Sequence, residues 1–130
     1  MKKMFLSLLC FVFAIPAAVS AHAPSDAEFK YIEGKKMLII TIEHKVRNEK
    51  SHYINDIKIR LNGKEVITQK ASVQTDKEVQ KIAYVIPDIK EGDEVELSAE
   101  CSIMGRKNFT YNVKTVEKKT EKKEEKKPGR

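Results

Sequence analysis

Val95-Glu96-Leu97-Ser98-Ala99-Glu100-Cys101 alternates apolar and polar side chains with a period of two, the pattern of a strand with one buried face. Val95, Leu97, Ala99 and Cys101 share that face, so the strand ends on a thiol pointing inward. Leu38-Ile39-Ile40-Thr41-Ile42-Glu43-His44 repeats the pattern and ends on an imidazole at the equivalent inward position. Working outward from these two runs, β signals predict strands over 28–33, 36–44, 53–61, 64–70, 80–86, 93–101 and 108–113. Turn chemistry separates them. Gly34 breaks the first pair, Asn62-Gly63 is a strong two-residue hairpin signal, Pro87 and Gly92 bracket a loop, and Gly105 breaks the last pair. No stretch shows an apolar period of 3.6, and there is no internal repeat. Seven short strands at this spacing predict an all-β fold, an immunoglobulin-like β-sandwich.

Parity then places the strand ends. Consecutive antiparallel strands reverse direction, so if 36–44 runs up, His44 is at the top and His52, at the start of the next strand, is there too. The first strand runs down, which leaves its N-terminal lead with His22 on the same side. Counting on to 93–101 brings Cys101 and Met104 to that end as well, provided the longer connection over 71–79 preserves the order. The candidate site residues are therefore His22, His44, His52, Cys101 and Met104. Neutral imidazole suits iron, copper and zinc, and thiolate adds a soft, strongly donating ligand.

The two termini read differently from the body. Lys2 and Lys3, an apolar run over 4–14 and the small residues Ala17, Ala18, Val19, Ser20 and Ala21 predict a signal peptide over 1–21. Its apolar run is too short to span a bilayer, so no stable membrane insertion is expected once it is removed. The protein is expected to be periplasmic or secreted. Cleavage would remove Cys10 and leave Cys101 as the single cysteine, which is then buried, metal-bound, reactive or paired with another chain. Residues 117–130 hold no apolar side chain, and like charges recur at i,i+4, so a disordered Lys/Glu tail is predicted rather than a helix. The domain between them, 22–116, carries sixteen basic and fifteen acidic residues. The net charge of +6 thus comes mostly from the ends, and no nucleic-acid footprint is expected on the body. No phosphate loop, nucleophile elbow or zinc-helix motif occurs.

His44, the Ser51-His52-Tyr53-Ile54 stretch, and Gly92-Asp93-Glu94-Val95 leading to Cys101-Ser102-Ile103-Met104-Gly105 together resemble the ferrous-iron domain of superoxide reductases (desulfoferrodoxin and neelaredoxin). The resemblance spans about 44–113. It implies an immunoglobulin-like sandwich that holds iron through equatorial histidines, here His44 and His52, with Cys101 as the axial thiolate and an electron-donor protein as partner. Met104 stands where that family places its last histidine, and three histidines in the chain cannot supply four ligands. The full centre is therefore excluded in its usual form, and an altered metal site or a metal-free relative remains. His52-Tyr53-Ile54-Asn55-Asp56-Ile57 and the hairpin through Val66 are also similar to the Ig-like Z subunit of the thiosulfate-oxidation carrier complex, which implies a non-catalytic interaction module. Two histidines, a cysteine and a methionine are also the ligands of blue copper centres, although the usual Cys…His…Met order is absent. If cleavage follows Ala21, the amine and imidazole of His22 could chelate copper together, which would suit a periplasmic copper-binding protein.

Overall fold

The computed structural model describes residues 22–115 of the 130-residue chain. The predicted leader over 1–21 and the charged tail over 117–130 lie outside the described residues. Seven strands, β1 (Asp26–Ile32), β2 (Met37–Glu43), β3 (Ile54–Leu61), β4 (Lys64–Lys70), β5 (Val79–Val85), β6 (Glu94–Cys101) and β7 (Arg106–Asn112), form two antiparallel sheets. The sheet orders are β1-β2-β5 and β4-β3-β6-β7, and the sheets stack as an immunoglobulin-like sandwich. Every strand begins and ends within two residues of its sequence expectation.

Period-two burial builds the core. Leu38, Ile40 and Ile42 of β2 are fully buried, facing Ile57 and Ile59 of β3 and Val95, Leu97 and Ala99 of β6. Each such aliphatic side chain contributes about 1.5–3 kcal/mol through removal from water. The intervening residues point outward and are mostly charged, as Lys58, Arg60, Glu96 and Ser98 illustrate.

The turns follow local backbone chemistry. Asn62 (φ 49°) and Gly63 (φ 82°) both adopt left-handed conformations, as a two-residue primed hairpin requires. Between β1 and β2 the break falls at Gly34, inside a 3-10 turn over Glu33–Lys35 whose left-handed cap is Lys36 (φ 50°). Lys36 is held there by its ammonium, which donates to the Ile89 carbonyl (3.0 Å), an oxygen that also accepts from the buried Tyr31 hydroxyl (3.1 Å).

The connection over 71–79 carries the chain from one sheet to the other. β5 lies antiparallel to β2, with Met37 opposite Val85 and Glu43 opposite Val79. An isolated parallel bridge between Tyr31 and Thr115 shows that β1 and the segment after β7 run the same way. β2 and β6 therefore run toward one end of the sandwich, as the parity argument required.

The opposite end is tied by Asp93. One carboxylate oxygen accepts from the Asn62 amide (3.1 Å), the other from the Lys90 N–H (2.9 Å), while Asn62 Oδ1 accepts from the Glu94 N–H (2.9 Å). The Asn62 bond, more than any other contact, holds the Asp93 carboxyl below the usual carboxylate range. A depressed folded-state pKa gives stability that is present above the unfolded value of about 3.9 and is lost as pH falls through the folded one. Asp93→Asn should cost about 1–2 kcal/mol at pH 7. Urea unfolding across pH should show the gap from wild type narrowing below about pH 4.

Candidate metal centre

Three different backbone devices bring side chains to the upper end. β2 continues its ladder past Glu43, with the His44 N–H donating to Glu78 O (3.0 Å) and the Val46 N–H to Lys77 O (2.8 Å). That keeps His44 in the inward phase of the strand, fully buried. His52 is placed by a turn in the β2–β3 loop, where Asn48 O accepts from the N–H groups of Ser51 (3.3 Å) and His52 (3.0 Å). The Asn48 side chain accepts from the Lys50 N–H (2.9 Å) and stiffens the turn. Cys101 is placed by register: it pairs with Ile54 at the top of the β3–β6 ladder, next to a bulge between Ile54 and Asp56. Ser102 fastens the junction, its N–H donating to Tyr53 O (2.8 Å) and its hydroxyl accepting from the Tyr53 N–H (3.2 Å).

One ligand atom each from His44, His52 and Cys101 lies within 4.8 Å of the others, and all three residues are buried. Donors about 2.0–2.3 Å from a common ion are at most about 4.5 Å apart, so only a small contraction separates this cluster from a coordination sphere. His52 Nε2 is 3.0 Å from Cys101 Sγ, which also accepts the Ile103 N–H at 3.5 Å. The His44 and His52 rings meet edge to face with centroids 4.8 Å apart. Burial, followed by the neighbouring His44 and His22, pushes the His52 pKa down. The neutral imidazole, the form that ligates metals, is thereby favoured. Two imidazoles and a thiol in a buried pocket fit a transition metal of the iron, copper or zinc type.

The other two expected residues stand differently. His22 packs beside the cluster, its ring centroid 5.0 Å from that of His44 and 5.7 Å from that of His52. Both its ring nitrogens face carbonyl oxygens, Nδ1 that of Ala23 and Nε2 that of Lys45, each at 3.0 Å. It reaches the right place but offers the cluster no nitrogen in this arrangement. Met104 sits on the β6–β7 turn and is 68% exposed, so it is not buried with the other three.

Two further residues, Gln74 and Gly105, shape the site. Gln74, in the β4–β5 connection, is 2% exposed and bonds to His44 through both ends of its amide. Gly105 closes the turn after Cys101, its carbonyl accepting the Cys101 N–H at 2.8 Å. It has φ +100°, and a Cβ there would lie 2.7 Å from the Ala23 nitrogen. The signal for Gly105 was its place four residues after an inward cysteine. A lone glutamine in a loop gives none.

No family model matches the chain, and no curated protein matches it. Among solved structures, the chain is similar to "Superoxide reductase (1Fe-SOR) from Giardia intestinalis", with a TM-score of 0.51 and 17% sequence identity, over 72% of this chain and 98% of that one. At that identity the likeness is one of fold. The buried His-His-Cys cluster stands beside it as a separate observation.

Gly105→Ala should destabilise the fold by more than about 1 kcal/mol, because the new methyl meets backbone at a positive φ. It should also loosen the lead that carries His22. Hydrogen exchange at Ser25, whose N–H donates to Glu43 O (2.9 Å), should accelerate well beyond the change at Ile40 in the core.

Proposed function

We propose that this protein is exported and binds a redox-active transition metal, iron in the first place, through His44, His52 and Cys101. The observation that carries the reading is the buried convergence of these three donors at one end of the sandwich. The superoxide-reductase-like fold supports it, as does the resemblance of the sequence around His44, His52 and Cys101 to that family's motifs. When bound, the metal would supply one-electron chemistry toward superoxide or a similarly small oxidant. The chain's own part is to hold two neutral imidazoles and one thiolate in fixed positions and to keep bulk water from the thiolate. The Ile103 N–H at the sulfur stabilises negative charge there. An electron-donor protein would restore the reduced state.

A second reading rests on a specific observation. His52 and Cys101 already contact each other, and His44 Nδ1 already has Gln74 as its partner. A metal-free domain acting as an interaction module, as the resemblance to the thiosulfate-oxidation Z subunit implies, would keep the same network as core polar packing.

The test is elemental analysis of the full chain purified anaerobically, with a visible spectrum after oxidation. Near-stoichiometric iron and a thiolate-to-metal charge-transfer band are expected, both lost in Cys101→Ser while the far-ultraviolet circular dichroism is unchanged. Stoichiometric copper with such a band would keep the site and change the metal. A colourless protein that takes up neither iron nor copper on reconstitution would establish the interaction module instead.

A further inference from the structure

The side-chain amide of Gln74 is oriented by its surroundings. Its Nε2 lies 2.7 Å from the carbonyl oxygen of His44 and 2.9 Å from that of Asp76. Both partners only accept, so the NH2 group must face them, and exchanging the amide nitrogen and oxygen would press three oxygens together. With the nitrogen fixed, Gln74 Oε1 is the atom 2.8 Å from His44 Nδ1, and it too can only accept. His44 Nδ1 must therefore carry the hydrogen. In the neutral ring the lone pair then sits on Nε2, the nitrogen on the side away from Gln74, which lies 3.1 Å from the carbonyl oxygen of His22. In that neutral form a nitrogen lone pair and a carbonyl oxygen face each other, an electron-rich spot that a cation, a metal ion or a second ring proton, would relieve. Gln74 is itself anchored, its N–H donating to Glu49 O (3.0 Å) in the same loop that delivers His52.

We propose that Gln74 is a positioning residue: it fixes His44 in the Nδ1–H tautomer and so makes Nε2 the ligating atom. The inference rests on the metal-binding reading above for its functional meaning, but the tautomer itself does not depend on metal. Partners that donate or accept at the distal ring nitrogen orient metal-binding histidines in general, and their loss typically costs 10–100-fold in affinity.

The deciding measurement is long-range 1H–15N correlation spectroscopy of the metal-free full chain at neutral pH. His44 should show a protonated, pyrrole-type Nδ1 and a pyridine-type Nε2. A ring protonated at Nε2 alone, or at both nitrogens, would overturn the proposal without any variant being made. Gln74→Leu should shift His44 toward the Nε2–H tautomer, which can donate to His22 O, and weaken Co2+ binding about 10–100-fold in a spectroscopic titration. Unchanged tautomer and affinity in Gln74→Leu would overturn the assignment. If wild type shows the Nδ1–H tautomer but binds no Co2+, the metal reading fails while the tautomeric role of Gln74 stands.

Discussion

Strand geometry allows a side chain only two directions, and that constraint governs both the core and the site. Burying Leu38, Ile40 and Ile42 on one sheet commits His44, two residues further, to the same face. Burying Val95, Leu97 and Ala99 on the other does the same to Cys101. The polar cluster is thus a continuation of the hydrophobic core in the same phase. A one-residue slip in either strand would turn the core outward along with the ligand, so the placement of the donors is protected by the apolar residues behind them.

Continuing a core with imidazole and thiol carries a desolvation cost, because buried polar groups destabilise unless they are paired. Among the described residues the pairing is nearly closed. His44 has Gln74 at one nitrogen, His52 and Cys101 face each other, and Ser102 binds the strand junction beside them. Two discordant contacts remain beside the cluster: His44 Nε2 faces the His22 carbonyl while Gln74 holds a hydrogen on Nδ1, and both His22 nitrogens face carbonyls although a neutral ring has one hydrogen to give. Discordance gathered at one end of an otherwise satisfied network is where a ligand is expected to act.

How much of this was legible in the sequence follows from what each position depends on. His44 and Cys101 were readable because strand period alone sets their direction, and His52 because it opens a strand at the end where His44 closes one. Period says nothing about a residue beyond the strand end. Met104, three positions after Cys101, is directed by the β6–β7 turn and comes out exposed. His22 was brought to the correct end by parity, but parity cannot orient an imidazole, and local carbonyls took both its nitrogens. Gln74 lies in the connection over 71–79 and acts on a residue thirty positions earlier, so no local pattern could announce it. Gly34 marks the break between β1 and β2, but the left-handed position falls two residues later, on Lys36, whose ammonium has a distant carbonyl to bind.

Division of the donors between the sheets also bears on the order in which the molecule is assembled. His44 extends the three-stranded sheet, whereas His52 and Cys101 sit at the upper end of the two central strands of the four-stranded one. Each sheet is closed by a non-local pairing, β2 with β5 and β3 with β6, so both must span intervening chain before their inner faces can meet. Such topologies fold slowly, because loop-closure entropy is lost before the contacts that compensate it are made. The four-stranded half alone can present a thiol and one imidazole, which is too few donors for a selective site. The three donors therefore converge only after the sheets have docked, so a metal held by them would be selected at the last stage of folding.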